Sequence, residues 1–409
     1  MQISRYIKTC QACNSKLIKL FYSFGNLPPV NEYHSNKKLS KTNYFNTDIV
    51  ICEKCSLFQL GNIVNKEILF PKNYPYTSST TKILRKNFFN LAKQVEKKGI
   101  LKNKKDIVLD IGSNDGNLLS NFTKYRVLGV TPEQIGKLAI KKGIPTILRY
   151  FNNNTARLIL KKYGKCKLIT ATNVFAHIDY PNDVIKNITK ILDKDGVFIN
   201  ESHYLGDLVN FNQYDTVYHE HLRYYSLRSL QFLLKKHGYK IFDCQKIPTH
   251  GGSIRVFASK SKKYKLSSNI KKVLKEEEKI LSEKNLTEFK KNILMSKLNL
   301  YKILSSIKSK NKKIAGVSAP SRASTLINYT GLDNNIIDCI FEISGSYKIG
   351  KFMPGTKIKI VNEKEIKKYK PDYLLIFSWH IKDELKKIFR KNGYKGKFII
   401  PLPWAKIEN

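Results

Sequence analysis

Residues 106–122 constrain the possible folds more than any other stretch. Asp106-Ile-Val-Leu-Asp110-Ile111 is a buried-strand pattern, Gly112-Ser-Asn-Asp-Gly116 is a turn, and Asn117-Leu-Leu-Ser-Asn121 reads as the start of a helix. Strand, glycine loop and helix are the parts of a nucleotide-binding first unit. The spacing is Gly-x-x-x-Gly with an acid two residues earlier, not Gly-x-Gly-x-x-Gly. A pyrophosphate seat on the helix N-terminus is therefore disfavoured. An acid at the strand end suits a cationic ligand with an amino acid moiety, such as S-adenosylmethionine (SAM). Asp-x-Gly also occurs in ordinary turns.

The alternation continues downstream. Strands are expected at 125–130, 168–172 and 196–200, and helices at 135–142 and 184–192. Repeated β-α units predict a doubly wound parallel sheet that binds ligands at the C-terminal edges of its strands. That edge would collect the glycine loop, Asn173, His177 and Glu201. Upstream, Tyr74-Pro75-Tyr76-Thr77-Ser78-Ser79 reads as an extended linker. A helix should follow it to about Leu101, with Leu84, Phe88, Phe89, Leu91 and Val95 at helical spacing. Residues 266–310 read as two charged helices leading to a third domain. Strands are expected there at 313–317, 336–341, 373–377 and 398–401. Its first loop, with Arg322 and several hydroxyls at a helix start, can seat phosphates. The expected domains are 1–75, 76–262 and 263–409.

Four of the seven cysteines form two Cys-x-x-Cys pairs, Cys10 with Cys13 and Cys52 with Cys55. Each tight turn presents two thiolates, and two turns close a tetrahedral Zn2+ site. Four thiolates leave no open position, so the metal would be structural. Redox use fits less well than ligation, and four unrelated thiols are the plainer alternative. The other three, Cys166, Cys244 and Cys339, lie scattered in apolar contexts, which suits a reducing compartment.

The net charge is +42 over 409 residues. The excess is nearly all Lys, spread along the chain without an arginine-rich arm. It reads as solvated faces, not as a specific nucleic-acid site. It would still favour anionic substrates such as nucleotide-linked metabolites. No apolar run reaches the ~18–20 residues that span a bilayer. The start, Met1 to Tyr6, runs into the cysteine motif with no room for an apolar signal core. The expectation is a cytoplasmic monomer or small homo-oligomer.

Tyr218-His219-Glu220-His221 puts a phenol, a carboxylate and two imidazoles into four residues. It falls in a long connection where a substrate-covering loop is expected. Pro248-Thr-His250-Gly251-Gly252 follows. With the paired cysteines, Asp110 to Gly116 and Asn173-Val-Phe-Ala-His177, these ordered motifs resemble the SAM-dependent sugar C-methyltransferases of deoxysugar biosynthesis. Those enzymes add a methyl to C3 of a nucleotide-linked 4-ketosugar. The resemblance reaches Ala319-Pro-Ser-Arg-Ala-Ser-Thr-Leu-Ile-Asn-Tyr329 and Met353-Pro354-Gly355-Thr356. It implies an N-terminal zinc domain, a central class I SAM methyltransferase fold (a Rossmann-like doubly wound sheet) and a C-terminal α/β domain that helps hold the nucleotide sugar. Two departures stand out. The family's second strand usually ends in an acid that grips the ribose hydroxyls, where this chain has Thr131, with Glu133 near enough to compensate. The family's Asp-Arg-Asn-Pro stretch is here Glu342-Ile-Ser-Gly345.

Asp110, Gly112, Asn114, Gly116, Thr131 and Asn173 are the expected cofactor residues. The hydrogen next to a ketone is acidic because the enolate places charge on oxygen, and His is a natural base near neutral pH. His221 is expected as that base and Glu220 as its partner or an anchor for a sugar substituent. Tyr218 and His177 should contact the ketone oxygen. Tyr76, His250 and Arg322 are the expected substrate contacts. His219 is left out, as facing solvent or capping a turn. Alone, His177 would read as a structural histidine. Four alternatives stay open: an O- or N-methyltransferase on the same cofactor fold, a non-enzymatic zinc protein binding nucleic acid, a relative that lost SAM through Thr131, and a metal site in His-Glu-His.

Overall fold

The structure, a computed structural model, describes residues 3–35, 42–70 and 78–409. Near the N-terminus, strands Ile18–Leu27, Phe45–Cys52 and Phe58–Leu60 pair antiparallel. A fourth strand, Arg223–Tyr224, joins this sheet from far along the chain. It directly follows the Tyr218–His221 cluster, so that cluster is fastened to the N-terminal unit.

The central sheet has seven strands, in the order Lys240–Ile247, Ser253–Ser259, Leu192–His203, Cys166–Thr172, Ile107–Ile111, Arg126–Val130, Thr146–Ile147. The last five are mutually parallel, as the β-α alternation predicts for four of them, and Thr146–Ile147 is an added short strand at the edge. Ser253–Ser259 runs antiparallel to both of its neighbours, which corrects the expectation of an all-parallel sheet, while the edge strand Lys240–Ile247 runs in the same direction as the five. The cause is the short connection at 248–252. It carries no crossover helix, only a turn through Gly251 (φ 89°) and Gly252 (φ 130°), and such a short link permits only antiparallel neighbours. Ile107–Ile111 is buried at every position, as befits a strand covered on both faces.

The helix expected after Gly116 is a single 3-10 turn, Leu119–Asn121. The Asn121 amide donates to the Asn117 and Leu118 carbonyls, and the Asn117 amide donates to the Ser78 carbonyl. The Asn121 side chain thus takes carbonyls that a longer helix would use. Upstream, helix Lys82–Lys97 buries Leu84, Phe88, Leu91 and Val95, while Phe89 faces out beneath Lys93.

Helices Ser268–Ile280 and Glu283–Lys308 lead to a six-stranded sheet. Its order is Ile360–Asn362, Ile340–Glu342, Ile314–Val317, Tyr373–Ile376, Lys397–Ile400, Lys406–Glu408, with only the last antiparallel. Helix Ser321–Thr330 starts early enough that Arg322 sits in its first turn. One apolar cluster joins Phe24 and Phe58 of the first unit, Tyr214 and Val217 beside the cluster, and Leu326 and Ile327 of the third unit. Among the described residues, no helix is long and apolar enough to cross a membrane.

Candidate active site

The two cysteine pairs form twin knuckles. The Asn14 amide closes back on the Cys10 carbonyl at 2.9 Å, and the Ser56 amide on the Cys52 carbonyl at 2.8 Å. Asn14 and Ser56 both take positive φ to make the turn. All four sulfurs lie within 4.8 Å of one another. Four converging thiols, three of them buried, fit one tetrahedral Zn2+ with no open position.

A cleft of 2420 Å³ runs between the C-terminal edge of the central sheet and the third unit. Asp110 ends its strand there, accepting a 2.6 Å hydrogen bond from Thr170. Burial pushes its carboxyl up to about 7, against the pull of that bond. Gly112 is required as glycine, because a Cβ would stand 2.3 Å from Val174. Asn114 takes φ 50° and accepts from the Ser78 amide. Gly116 packs against Ile144 and Ala139, beneath the loop. Asn173 takes φ 55°, and its buried Oδ1 has no partner. Thr131 is buried, and its hydroxyl donates to the Glu133 carboxylate, which lines the cleft. An orphaned acceptor and an acid on this edge suit the ammonium of SAM, so these residues can hold the cofactor.

Tyr218 to His221 forms a closed turn, with the His221 amide on the Tyr218 carbonyl. It is wedged between two segments. The Leu222 amide donates to the Ala176 carbonyl, and the Leu60 amide donates to the Leu222 carbonyl. His221 donates from Nδ1 to the Thr216 carbonyl at 2.8 Å, which leaves Nε2 as an acceptor. The Tyr218 hydroxyl donates to that Nε2 at 3.0 Å. Burial, then neighbouring His177, holds the His221 pKa well below the usual imidazole range. His177 donates from Nδ1 to the Glu220 carbonyl at 2.6 Å, and burial lowers it to about 4. Its Nε2 thus faces the cleft as an acceptor and, while neutral, has no hydrogen to offer a ketone oxygen. Glu220 accepts from the Asn31 side chain at 2.6 Å.

The remaining expected residues divide. His250 lines the cleft at φ 57°, with Nε2 buried and unpartnered. Arg322 also lines it, but its guanidinium is already engaged. It meets Asp215 through two bonds of 2.8 and 3.0 Å and Gln213 at 3.1 Å. The expected phosphate seat therefore lacks a free charge at this position. Tyr76 lies outside the described residues. His219 neither faces solvent nor caps an exposed turn. It is buried, with Nε2 within 3.0 Å of the Thr47 hydroxyl and 3.1 Å of the Phe45 carbonyl. Glu201, expected on the ligand edge, is sealed beneath it by Arg255 and Asn87. Among the described residues, only the four cysteines form a group able to hold a metal, so His-Glu-His is not one.

Two residues at the site escaped the sequence reading. Asn31 is 189 positions from Glu220, and no local signal announces it. His203 ends the strand Leu192–His203 and lines the cleft, its ring 4.9 Å from that of His221. Its strand-end position was the available signal.

Comparison with known proteins agrees with this layout. Family models match three consecutive stretches: a zinc-binding domain at residues 10–70, a methyltransferase domain at 83–243 and a C-methyltransferase C-terminal domain at 248–403. The C-methyltransferase NovU of Streptomyces niveus is 30% identical over 416 aligned positions, covering 99% of this chain and 98% of that protein. Among solved structures, a SAM-dependent methyltransferase from Anabaena variabilis matches 45% of this chain and 97% of its own, at 13% identity and a TM-score of 0.34. The magnesium protoporphyrin IX methyltransferase of Synechocystis, solved with bound SAH, matches 43% of this chain and 83% of its own, at 15% identity and a TM-score of 0.34.

Proposed function

Because this chain belongs to the C-methyltransferase family that joins a zinc-binding, a methyltransferase and a C-methyltransferase C-terminal domain, we propose that it methylates the carbon next to the ketone of a nucleotide-linked 4-keto-deoxysugar, through an enolate. The enzyme is a SAM-dependent C-methyltransferase. The substrate and the enolate are the proposed part. SAM supplies the electrophilic methyl when bound. Asp110, Asn114 and Asn173 hold its amino acid end. Gly112 and Gly116 let the loop approach, and Glu133, steadied by Thr131, meets the ribose.

The observation that carries this reading is the Tyr218–His221 pair on the wall of the cofactor cleft. A carbon acid needs a base, whereas methyl transfer to an oxygen or nitrogen lone pair does not. His221 is fixed as a neutral acceptor by its bond to Thr216. Tyr218 stands against its free lone pair, so a proton taken up by the phenol oxygen releases the phenol's own proton to Nε2. Glu220 and His177, both acceptors, suit sugar hydroxyls. Lys348, which donates to the Ala319 carbonyl, adds a half-buried ammonium on the third unit's wall for the nucleotide's anionic part. Product NMR tests the reading: the new methyl should sit on carbon. Full turnover by His221→Asn would remove His221 from the mechanism.

A further inference from the structure

Hydrogen-bond accounting around the imidazoles leaves one role in that reaction unfilled. An enolate forms readily only where a donor meets its oxygen. His177 and His221 both use their N–H on backbone carbonyls. Each Nε2 is then a bare acceptor while the ring is neutral. Tyr218 gives its hydrogen to His221. Glu220 is a carboxylate already served by Asn31. None of these four can donate to a new oxygen as they stand.

His203 can. Its ring lies 4.9 Å from His221 and 5.8 Å from His250, on the cleft wall. Among the described residues, neither of its ring nitrogens has a hydrogen-bond partner. Strand pairing with Ser253 fixes its backbone. Burial, with His221 and His250 beside it, keeps the ring neutral, so it carries one free N–H. A neutral imidazole is a competent donor to an enolate oxygen.

We propose that His203 is a catalytic residue, donating its N–H to the substrate's carbonyl oxygen while the Tyr218–His221 pair removes the proton from the adjacent carbon. The C–H electron pair becomes the carbon–carbon π bond, and the carbonyl π pair moves onto the oxygen at His203. The proton passes to the Tyr218 oxygen as the phenol's own proton moves to His221 Nε2. The assignment rests on the keto-sugar reading above.

The test uses the full-length, zinc-loaded protein with SAH in place of SAM, in D2O. The probe is thymidine-diphosphate-linked 4-keto-6-deoxyglucose, and NMR follows loss of the protons next to its ketone. Wild type should exchange them. His203→Phe, with His203→Ala beside it to spare bulk, should slow exchange and kcat by about 10²–10³-fold, the usual loss for one such donor. His203→Gln, which keeps an N–H, should recover at least about tenfold of that. SAM affinity by calorimetry should match wild type in all three. Exchange at the wild-type rate in His203→Phe or His203→Ala overturns the assignment alone. So does equal loss in the Gln variant. Wild-type protein that exchanges neither proton overturns the keto-sugar reading and this role together.

Discussion

Thr131 and His219 are each held by a single side chain or segment, and each carries a measurable consequence. The Thr131 hydroxyl donates to the Glu133 carboxylate, which lines the cleft, and the proposed reading gives that acid the cofactor's ribose. Glu133→Gln should weaken SAM binding about tenfold, the scale of one hydrogen bond to a charged group. Calorimetry would read it directly, and Thr131→Asp should not improve on wild type, because two carboxylates would then face each other. His219 shows where sequence reading stops. Its neighbours in the chain are site residues, yet its own contacts are Thr47 and Phe45, 172 and 174 positions away. Burial holds its folded-state pKa near 4, below the usual 6.5. As pH falls, the unfolded chain therefore binds its proton first. Stability is full above about pH 6.5 and lost progressively toward pH 4, by about 2 kcal/mol at pH 5 from this residue alone. Urea melts at pH 7 and pH 5 should show that loss in wild type and a smaller one in His219→Gln.

Elements with strong local patterns were legible in the sequence. Four of the parallel strands, the helix over Lys82–Lys97 and the glycine loop each follow from spacing and turn residues alone, whereas the two-residue strand Thr146–Ile147 is too short to show a pattern. What escaped was set by side-chain competition for carbonyls, by a short link, and by partners distant in sequence. The turn at Leu119–Asn121 is short because the Asn121 side chain takes the Asn117 and Leu118 carbonyls, and Ser253–Ser259 is antiparallel because the link at 248–252 is too short to cross over. Glu201 is the sharpest case. Its place at a strand end suggested a ligand contact, but its carboxylate lies under the sheet. There Arg255 from the antiparallel strand Ser253–Ser259 and Asn87 from helix Lys82–Lys97 close on it. It ties three elements together and does not line the cleft. Removing one partner of a buried pair leaves an uncompensated charge. Glu201→Ala should cost about 3–5 kcal/mol in chemical denaturation, while any protein that stays folded at low temperature should bind SAM near wild-type affinity.

At the scale of the whole molecule, the candidate site lies where three units meet. The cofactor edge belongs to the central sheet. The Tyr218–His221 turn is backed by the zinc unit through Leu60, Arg223 and Tyr224, and by the third unit through Thr325, whose hydroxyl donates to the Val217 carbonyl. The motifs were readable as separate patches of chemistry. Their convergence was not, because it depends on a two-residue strand pairing across more than 160 positions of sequence. This gives the zinc a reach beyond its own cysteines. Strand Phe45–Cys52 ends in the second knuckle, pairs with Phe58–Leu60, and through it holds Arg223–Tyr224. Removing the metal with a strong chelator, or replacing Cys52 with Ser, should loosen that sheet and with it the far wall of the cleft. Carbon methylation should fall by at least about 10²-fold, on the scale of misplacing a positioned catalytic group. SAM binding, which depends on the other wall, should stay within about threefold, since no thiol lies on that edge. Zinc content, turnover and SAM calorimetry on the same samples decide the matter. Zinc-free protein with full turnover would show that the knuckles serve only their own fold.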